Sequence, residues 1–287
     1  MEFVSLSEIL TPAMEKRYAV GAFNIWNAET VQAIVEAAEE EASPVIFITG
    51  PMEIPLLKME PFLQVIKASV KKAKVPVSLH LDHFTDPDFV IQCIHAGFPS
   101  VMIDASKLTF EENIRVTSRV VQEAHKKGVS VEGELGRVGK VGLTMEDGDK
   151  ETVSTDPSRV VEFIERTGVD ALAINIGNAH GMYKEAPRLD FELLKKVSEL
   201  IDVPLVLHGG SSTPVSDLKK AVSLGIRKVN VATEMHVAFS DVLSKDLKSG
   251  NGFTWVSNSL MKVKEAQKAL VRRWIQNLGS SGMAVTI

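Results

Sequence analysis

The 287 residues include 32 Lys and Arg against 37 Asp and Glu, for a formal net charge of -5 and a pI near 5.9, with 45% hydrophobic residues. This is ordinary globular usage with chain enough for a large core, and with no basic stripe it argues against nucleic-acid binding. The single cysteine, Cys93, excludes an internal disulfide and a thiolate zinc cluster. No run approaches the roughly 18 apolar residues of a membrane span, and the N-terminus has no basic segment followed by an apolar one, so a cytoplasmic protein is expected.

Short apolar runs alternate with longer amphipathic ones. The strand-like runs are residues 19–23, 44–49, 75–81, 100–103, 129–134, 171–175, 205–207 and 228–231. Between the first two, Val31, Ile34, Val35 and Ala38 follow the i, i+3, i+4, i+7 spacing of a buried helix face. Residues 158–166 and 217–224 look similar; C-terminal helices start at about residue 233, and the last covers roughly 260–277. Gly97, Gly128, Gly168 and Gly225 each end a helical pattern shortly before a strand, where glycine relieves the left-handed strain of a helix end. Strands alternating with helices imply right-handed crossovers and a parallel sheet. Eight such units fit a single α/β domain, a closed (β/α)8 TIM barrel over residues 1–287. An open nucleotide-binding sheet would want G-x-G-x-x-G after an early strand, and none is present. Residues 137–155, rich in Gly and acidic residues and without periodicity, are expected to form a long mobile or functional loop.

In parallel barrels the chemistry sits at the C-terminal ends of the strands. The unusual polar residues fall there: Asn24, Asp82 and His83, Asp104, Glu132 and Glu134, Asn175 and His180, His208, and Asn230. Any one of them could be a satisfied loop residue; their coincidence at one rim is the signal. Three neutral imidazoles, His83, His180 and His208, suit Zn²⁺ with an open position for substrate, although their wide spacing is by itself a weak metal signature. His80 lies inside its strand and reads as a core residue or a support for a ligand. His95 and His125 read as surface residues, and His236 falls outside the pattern. Two loops look built for an anion. Gly209 and Gly210 follow strand 7, and Asn230-Val231-Ala232-Thr233 runs from strand 8 into a helix start, the usual phosphate seat of this barrel.

The runs His80-Leu81-Asp82-His83, Met102-Ile103-Asp104-Ala105-Ser106, Glu132-Gly133-Glu134-Leu135-Gly136, Ala179-His180-Gly181-Met182-Tyr183, His208-Gly209-Gly210-Ser211 and Asn230-Val231-Ala232-Thr233 resemble the class II, zinc-dependent ketose-bisphosphate aldolases over nearly the whole chain. Ala186-Pro187-Arg188-Leu189-Asp190-Phe191 leans toward the tagatose-bisphosphate branch. The resemblance implies that His83, His180 and His208 bind catalytic Zn²⁺ and that Asp82 exchanges the proton of the sugar C4 hydroxyl. It implies that Gly181, Gly209, Gly210, Ser211, Asn230, Val231, Ala232 and Thr233 hold dihydroxyacetone phosphate. Asp104 and Glu134 match acidic positions near a secondary site for a divalent or monovalent cation. The family also places a proton-moving carboxylate on the loop after strand 5, where Glu146 fits. The implied partners are a small phosphorylated ketose and a second copy of the chain, in a homodimer or homotetramer.

Three departures stand out. The loop between Gly139 and Glu146 looks longer than the family's usual one, and Ser212 stands where glycine is common. Many members carry an arginine ahead of the last helix that grips the C6 phosphate, whereas here the stretch reads Trp255-Val256-Ser257-Asn258-Ser259; Lys264, Arg272 or Arg273 could substitute. The expected activity is cleavage of a tagatose- or fructose-type ketose 1,6-bisphosphate to dihydroxyacetone phosphate and glyceraldehyde 3-phosphate. The alternatives are a ketose 1-phosphate or C6-modified substrate, and a non-catalytic phosphosugar-binding subunit. A Schiff-base aldolase would need a lysine at a strand's C-terminal end; strand 6 has none, and Lys228 sits at the start of strand 8.

Overall fold

The computed structural model describes residues 3–142 and 151–284. The chain opens with a helix, α1 (Leu6–Lys16), and then alternates: β1 (Val20–Asn24), α2 (Ala28–Glu40), β2 (Val45–Thr49), the short α3 (Ile54–Leu57), α4 (Met59–Val70), β3 (Val77–Phe84), α5 (Pro87–Ala96), β4 (Ser100–Ile103), α6 (Phe110–His125), β5 (Ser130–Leu135), α7 (Pro157–Thr167), β6 (Ala171–Ile174), α8 (Phe191–Ser198), β7 (Leu205–Leu207), α9 (Val215–Ser223), β8 (Ile226–Val231), α10 (Thr233–Ser249) and α11 (Val256–Leu278). The eight strands are parallel and neighbour one another in chain order, and β1 pairs with β8, Val20 opposite Lys228, closing the barrel.

Period-two alternation decides what the barrel holds. Outward residues such as Phe23, Phe47, Leu79, Leu81 and Val131 join the large core under the helices. Inward, Val20, Ala22, Ile46, Ile48, Ala171, Ala173 and Val206 form a smaller apolar cluster, completed from below by Leu6, Ile9, Leu10 and Ala13 of α1. On β3, β5 and β8 the residues at the same alternation are polar and buried: Ser78, His80 and Asp82; Ser130, Glu132 and Glu134; Lys228 and Asn230. A polar column therefore rises through the interior to the strand ends, with the β8 side chains reaching across to those of β3 and β5.

Two details differ from the sequence reading. The helix α1 was not expected, although its signature is present: Ser5 caps it and Glu8 returns the hydrogen bond, a capping box. Strand β3 runs on to Phe84, so Asp82 and His83 lie within it rather than beyond it. Successive strand residues normally face opposite ways, yet the register against β4 shifts between Leu81 and Phe84, and His83 takes a positive φ of 56°. That bulge re-aims the His83 ring at the strand end, beside Asp82.

Candidate metal centre and active site

Three imidazoles meet above the polar column. His83 Nε2 lies 2.8 Å from His208 Nδ1. The His180 ring centroid is 4.6 Å from that of His83 and 5.7 Å from that of His208. Donor atoms of all three lie within 4.8 Å of one another. His180 reaches the centre from the loop after β6, held by the loop after β5: its N–H donates to the Gly139 carbonyl, and its carbonyl accepts from the Val141 N–H, both at 2.8 Å.

The other ring nitrogens fix the tautomers. His208 Nε2 is 2.7 Å from Glu132 Oε1, and His83 Nδ1 is 3.2 Å from Asp104 Oδ2. With those nitrogens carrying the protons, the two neutral rings point lone pairs at each other across 2.8 Å. Only a cation or a shared proton makes that arrangement favourable. Burial holds the His208 imidazole well below its usual value, which disfavours the proton and suits a metal ion. The residues present therefore fit Zn²⁺.

Beneath the rings, Glu132 accepts from Lys228 Nζ at 2.8 Å through its second oxygen, and His80 Nδ1 is 2.6 Å from Ser100 Oγ. All four of these side chains are buried. His80, Asp82 and Glu132 also cluster closely enough to hold a metal, but the Lys228 ammonium already supplies the positive charge there. Sequence reasoning placed Glu132 at a strand end and set Lys228 aside as a nucleophile. It missed that the alternating pattern of β5 and β8 points both inward to meet. The pairing leaves Lys228 no role as a Schiff-base amine.

A second carboxylate pair flanks His83. Burial works to raise the Asp104 carboxyl, but hydrogen bonds from His83 and Ser106 outweigh it and hold the group well below the usual carboxylate range. Burial, then the Asp104 charge, pushes Glu134 up to about 8. Glu134 Oε1 accepts from the Val138 N–H at 3.2 Å, while Oε2 is buried with no hydrogen-bond partner among the described residues. Asp104 and Glu134, the acidic pair named from sequence, thus lie together beside His83, with an orphaned oxygen that a cation would satisfy.

Asp82 is held by Asn230, whose amide nitrogen donates to both carboxylate oxygens at 3.1 and 3.2 Å. The amide oxygen of Asn230 is buried with no hydrogen-bond partner among the described residues. Around the expected phosphate seat, Gly209 has φ +66°, and a Cβ there would lie 1.9 Å from the Ala179 carbonyl oxygen, so only glycine fits. Gly181, Gly210, Val231, Ala232 and Thr233 are brought to the same rim by the loops after β6, β7 and β8. Ser211 Oγ accepts the Glu234 N–H at 3.1 Å, which leaves its own proton to donate. Glu234 in turn accepts the Ser212 N–H at 2.7 Å, so that amide is committed. Ser212, where glycine was noted as common, does take a left-handed φ of 58°, and its Oγ accepts the Tyr183 N–H at 2.9 Å, which helps to hold it there.

The proposed loop acid Glu146 lies outside the described residues. The three cations considered as substitutes for the missing arginine are committed elsewhere. Lys264 pairs with Glu36 at 2.6 Å, Arg272 with Glu41 at 2.9 Å, and Arg273 with Glu234 at 3.6 Å. His236, set aside in the sequence, lines a cavity that lies over the strand ends and also takes in Asp82, His83 and His180: its Nε2 bonds Asn24 Oδ1 at 2.8 Å, and its ring stacks on Trp26 with centroids 4.0 Å apart. No local motif marks that pairing; it becomes visible only when β1 and α10 are brought together.

A family model described as fructose-bisphosphate aldolase class-II matches residues 4–283. The chain is 40% identical over 282 residues to D-tagatose-1,6-bisphosphate aldolase subunit GatY of Klebsiella oxytoca, covering 98% of this chain and 99% of that one. It is 39% identical over 286 residues to sulfofructosephosphate aldolase of Alkalicoccus urumqiensis, covering 100% of each. Among solved structures it is similar to the YdjI aldolase from Escherichia coli K12, with a TM-score of 0.87 and 35% identity over 99% of this chain and 100% of that one.

Proposed function

This chain belongs to the class-II fructose-bisphosphate aldolase family and is a carbon–carbon lyase, and we propose that it splits a phosphorylated ketose between C3 and C4 to release dihydroxyacetone phosphate, with Zn²⁺ held by His83, His180 and His208. The observation that carries the reading is the pair of facing ring nitrogens, His83 Nε2 and His208 Nδ1, 2.8 Å apart beside Asp82. When bound, Zn²⁺ supplies Lewis-acid stabilisation of the negative charge that develops on oxygen as the carbon–carbon bond breaks.

The protein's own residues do the rest. Glu132 keeps the His208 ring oriented and its Nδ1 free, and Lys228 keeps Glu132 in place. Asn230 aims the Asp82 carboxylate, which takes the proton of the C4 hydroxyl in cleavage and returns it in condensation. The loops bearing Gly181, Gly209, Gly210, Ser211 and 230–233 seat the C1 phosphate at the start of α10, where amide N–H groups and the helix dipole favour an anion. Glu146 is proposed as the acid that moves the proton at C3. Asp104 and Glu134 are proposed to take a second cation beside His83. The 1-phosphate half of the substrate is common to a 1,6-bisphosphate and to a ketose phosphorylated at C1 alone. A cytoplasmic homodimer or homotetramer acting as a single catalytic domain completes the proposal, and light scattering of the purified protein checks the assembly.

The deciding experiment strips the protein with a chelator, assays release of dihydroxyacetone phosphate from ketose phosphates, and restores Zn²⁺. Cleavage should vanish and return. Stripped protein that goes on breaking carbon–carbon bonds would overturn the zinc reading. An Asp82→Ala variant with unchanged turnover would favour the alternative, an accessory subunit that binds phosphosugars without acting on them.

A further inference from the structure

The far end of the substrate meets a different kind of surface. A cavity of about 590 Å³ lies over the strand ends. Its cations, Lys107, Arg137 and Lys140, come from the loops after β4 and β5. In a closed barrel ordered β1 to β8, β5 lies opposite β1. The wall on the β1 and β2 side is built from Asn24, Trp26, Met52, Glu53, Leu56 and, from α10, His236. Among the described residues lining that wall there is no cation, and the group most able to carry charge is the Glu53 carboxyl. None of Lys264, Arg272 and Arg273 lines the cavity.

Asp82 sets the direction in which the substrate runs. If it takes the C4 hydroxyl proton, the carbons beyond C4 lie on the cavity wall next to it. That wall is the β1–β2 one: a Cβ built at Gly50 would stand 3.7 Å from the Asp82 carbonyl oxygen, and the Glu53 carboxyl feels the Asp82 charge. Glu53 Oε2 is held by the Gly50 N–H at 2.7 Å, and burial raises its pKa. Asn24 is committed on both ends: its amide nitrogen donates to the Ile48 carbonyl at 3.3 Å and hydrogen-bonds the Glu53 carboxyl, and its amide oxygen meets His236 Nε2 at 2.8 Å. Burial holds the His236 imidazole down to about 4, so it is uncharged near neutrality. A phosphate or sulfonate pressed against this wall would find a carboxyl, an aromatic stack and thioether and leucine side chains, and no partner for its charge. A hydroxyl would find an acceptor.

We propose that the substrate is a ketose 1-phosphate whose aldehyde-side fragment is uncharged and polyhydroxylated, and that Glu53 is the specificity-determining residue that accepts its hydroxyls and rejects an anion at C6. The proposal rests on the aldolase reading above and narrows it. In cleavage the C3–C4 bond breaks and its electron pair stays with C3. The C4 hydroxyl proton passes to Asp82 as C4 becomes the aldehyde carbonyl, and C3 then takes up a proton. Nothing is oxidised or reduced.

The test runs zinc-loaded enzyme in the condensing direction, with dihydroxyacetone phosphate and either glyceraldehyde (both enantiomers) or glyceraldehyde 3-phosphate. Exchange of the C3 hydrogens of dihydroxyacetone phosphate with deuterated water is followed without aldehyde. The expected result is exchange, together with a kcat/KM for glyceraldehyde at least about tenfold above that for its phosphate. Glu53→Gln should narrow that ratio by about tenfold while leaving exchange unchanged, because only the distal contact is altered. Exchange accompanied by a preference for the phosphate, or a ratio indifferent to Glu53→Gln, overturns this inference and leaves the aldolase reading standing. Absence of exchange removes the aldolase reading itself, and the inference with it. The wild-type ratio needs no variant to fold.

Discussion

Two sets of strands line the barrel interior on opposite principles. Under β1, β2, β6 and β7 the inward positions are Val20, Ala22, Ile46, Ile48, Ala171, Ala173 and Val206, closed from below by α1. Under β3, β5 and β8 they are His80, Asp82, Glu132, Glu134, Lys228 and Asn230, as deeply buried. The first set stabilises by excluding water. The second puts charges where they are costly, and an ion pair such as Lys228–Glu132 gains little net stability over a well-packed apolar pair. What the polar set gains is orientation: Glu132 fixes His208, and Asn230 fixes Asp82. One set keeps the barrel folded, and the other keeps the catalytic groups aimed.

That contrast can be broken at four points. Asp82→Asn should cost about 10²–10⁴-fold in turnover while leaving zinc affinity nearly unchanged, since Asp82 is proposed to move a proton and not to hold the ion. Equal loss of both would make it a ligand. Glu132→Gln leaves the Lys228 ammonium buried without its partner, so unfolding should become easier by about 3–5 kcal/mol, and zinc should bind about 10–100-fold more weakly. Adding Lys228→Met should restore stability without restoring zinc affinity; recovery of both would mean Glu132 acts only as a counter-ion. In the apolar set, Ile46→Ala should cost about 2–5 kcal/mol in denaturant unfolding and nothing in zinc affinity. A change in metal binding there would show that the apolar and polar sets are coupled.

The smallest effect concerns pH. The folded pKa of His236, about 4, lies below the roughly 6.5 of an exposed imidazole. As pH falls across that window the unfolded chain takes a proton that the folded chain refuses. The stability this group contributes is complete above about 6.5 and is withdrawn down to about 4. In chelator-treated protein the drop in Tm between pH 7 and pH 4.5 should be smaller for His236→Gln than for wild type. Equal drops would contradict the assignment of the shift to His236.

Much of the barrel was legible because its signals are local. Apolar runs recur eight times, with amphipathic segments between them and glycine ending four of the helical patterns, and most strands lie within two residues of the expected positions. The candidate ligands His83, His180 and His208 stood out for the same reason, two of them at strand ends and His180 in the loop that follows β6. The groups that act through them were harder to see. Glu132 and Lys228 are 96 positions apart, and their contact depends on barrel closure and on which face each residue takes. The bulge at His83 has no sequence mark, because its positive φ falls on a residue that seldom adopts one. The Trp26–His236 stack joins the first strand's loop to the start of α10, and nothing in either segment points to the other.

The central claim is that three distant imidazoles hold one ion beside Asp82. The most direct test is a zinc-soaked crystal measured on both sides of the zinc absorption edge. The account predicts an anomalous peak within about 2.0–2.1 Å of His83 Nε2, His208 Nδ1 and a ring nitrogen of His180. A map without a peak there, or a peak from which any of the three rings is turned away, would contradict it.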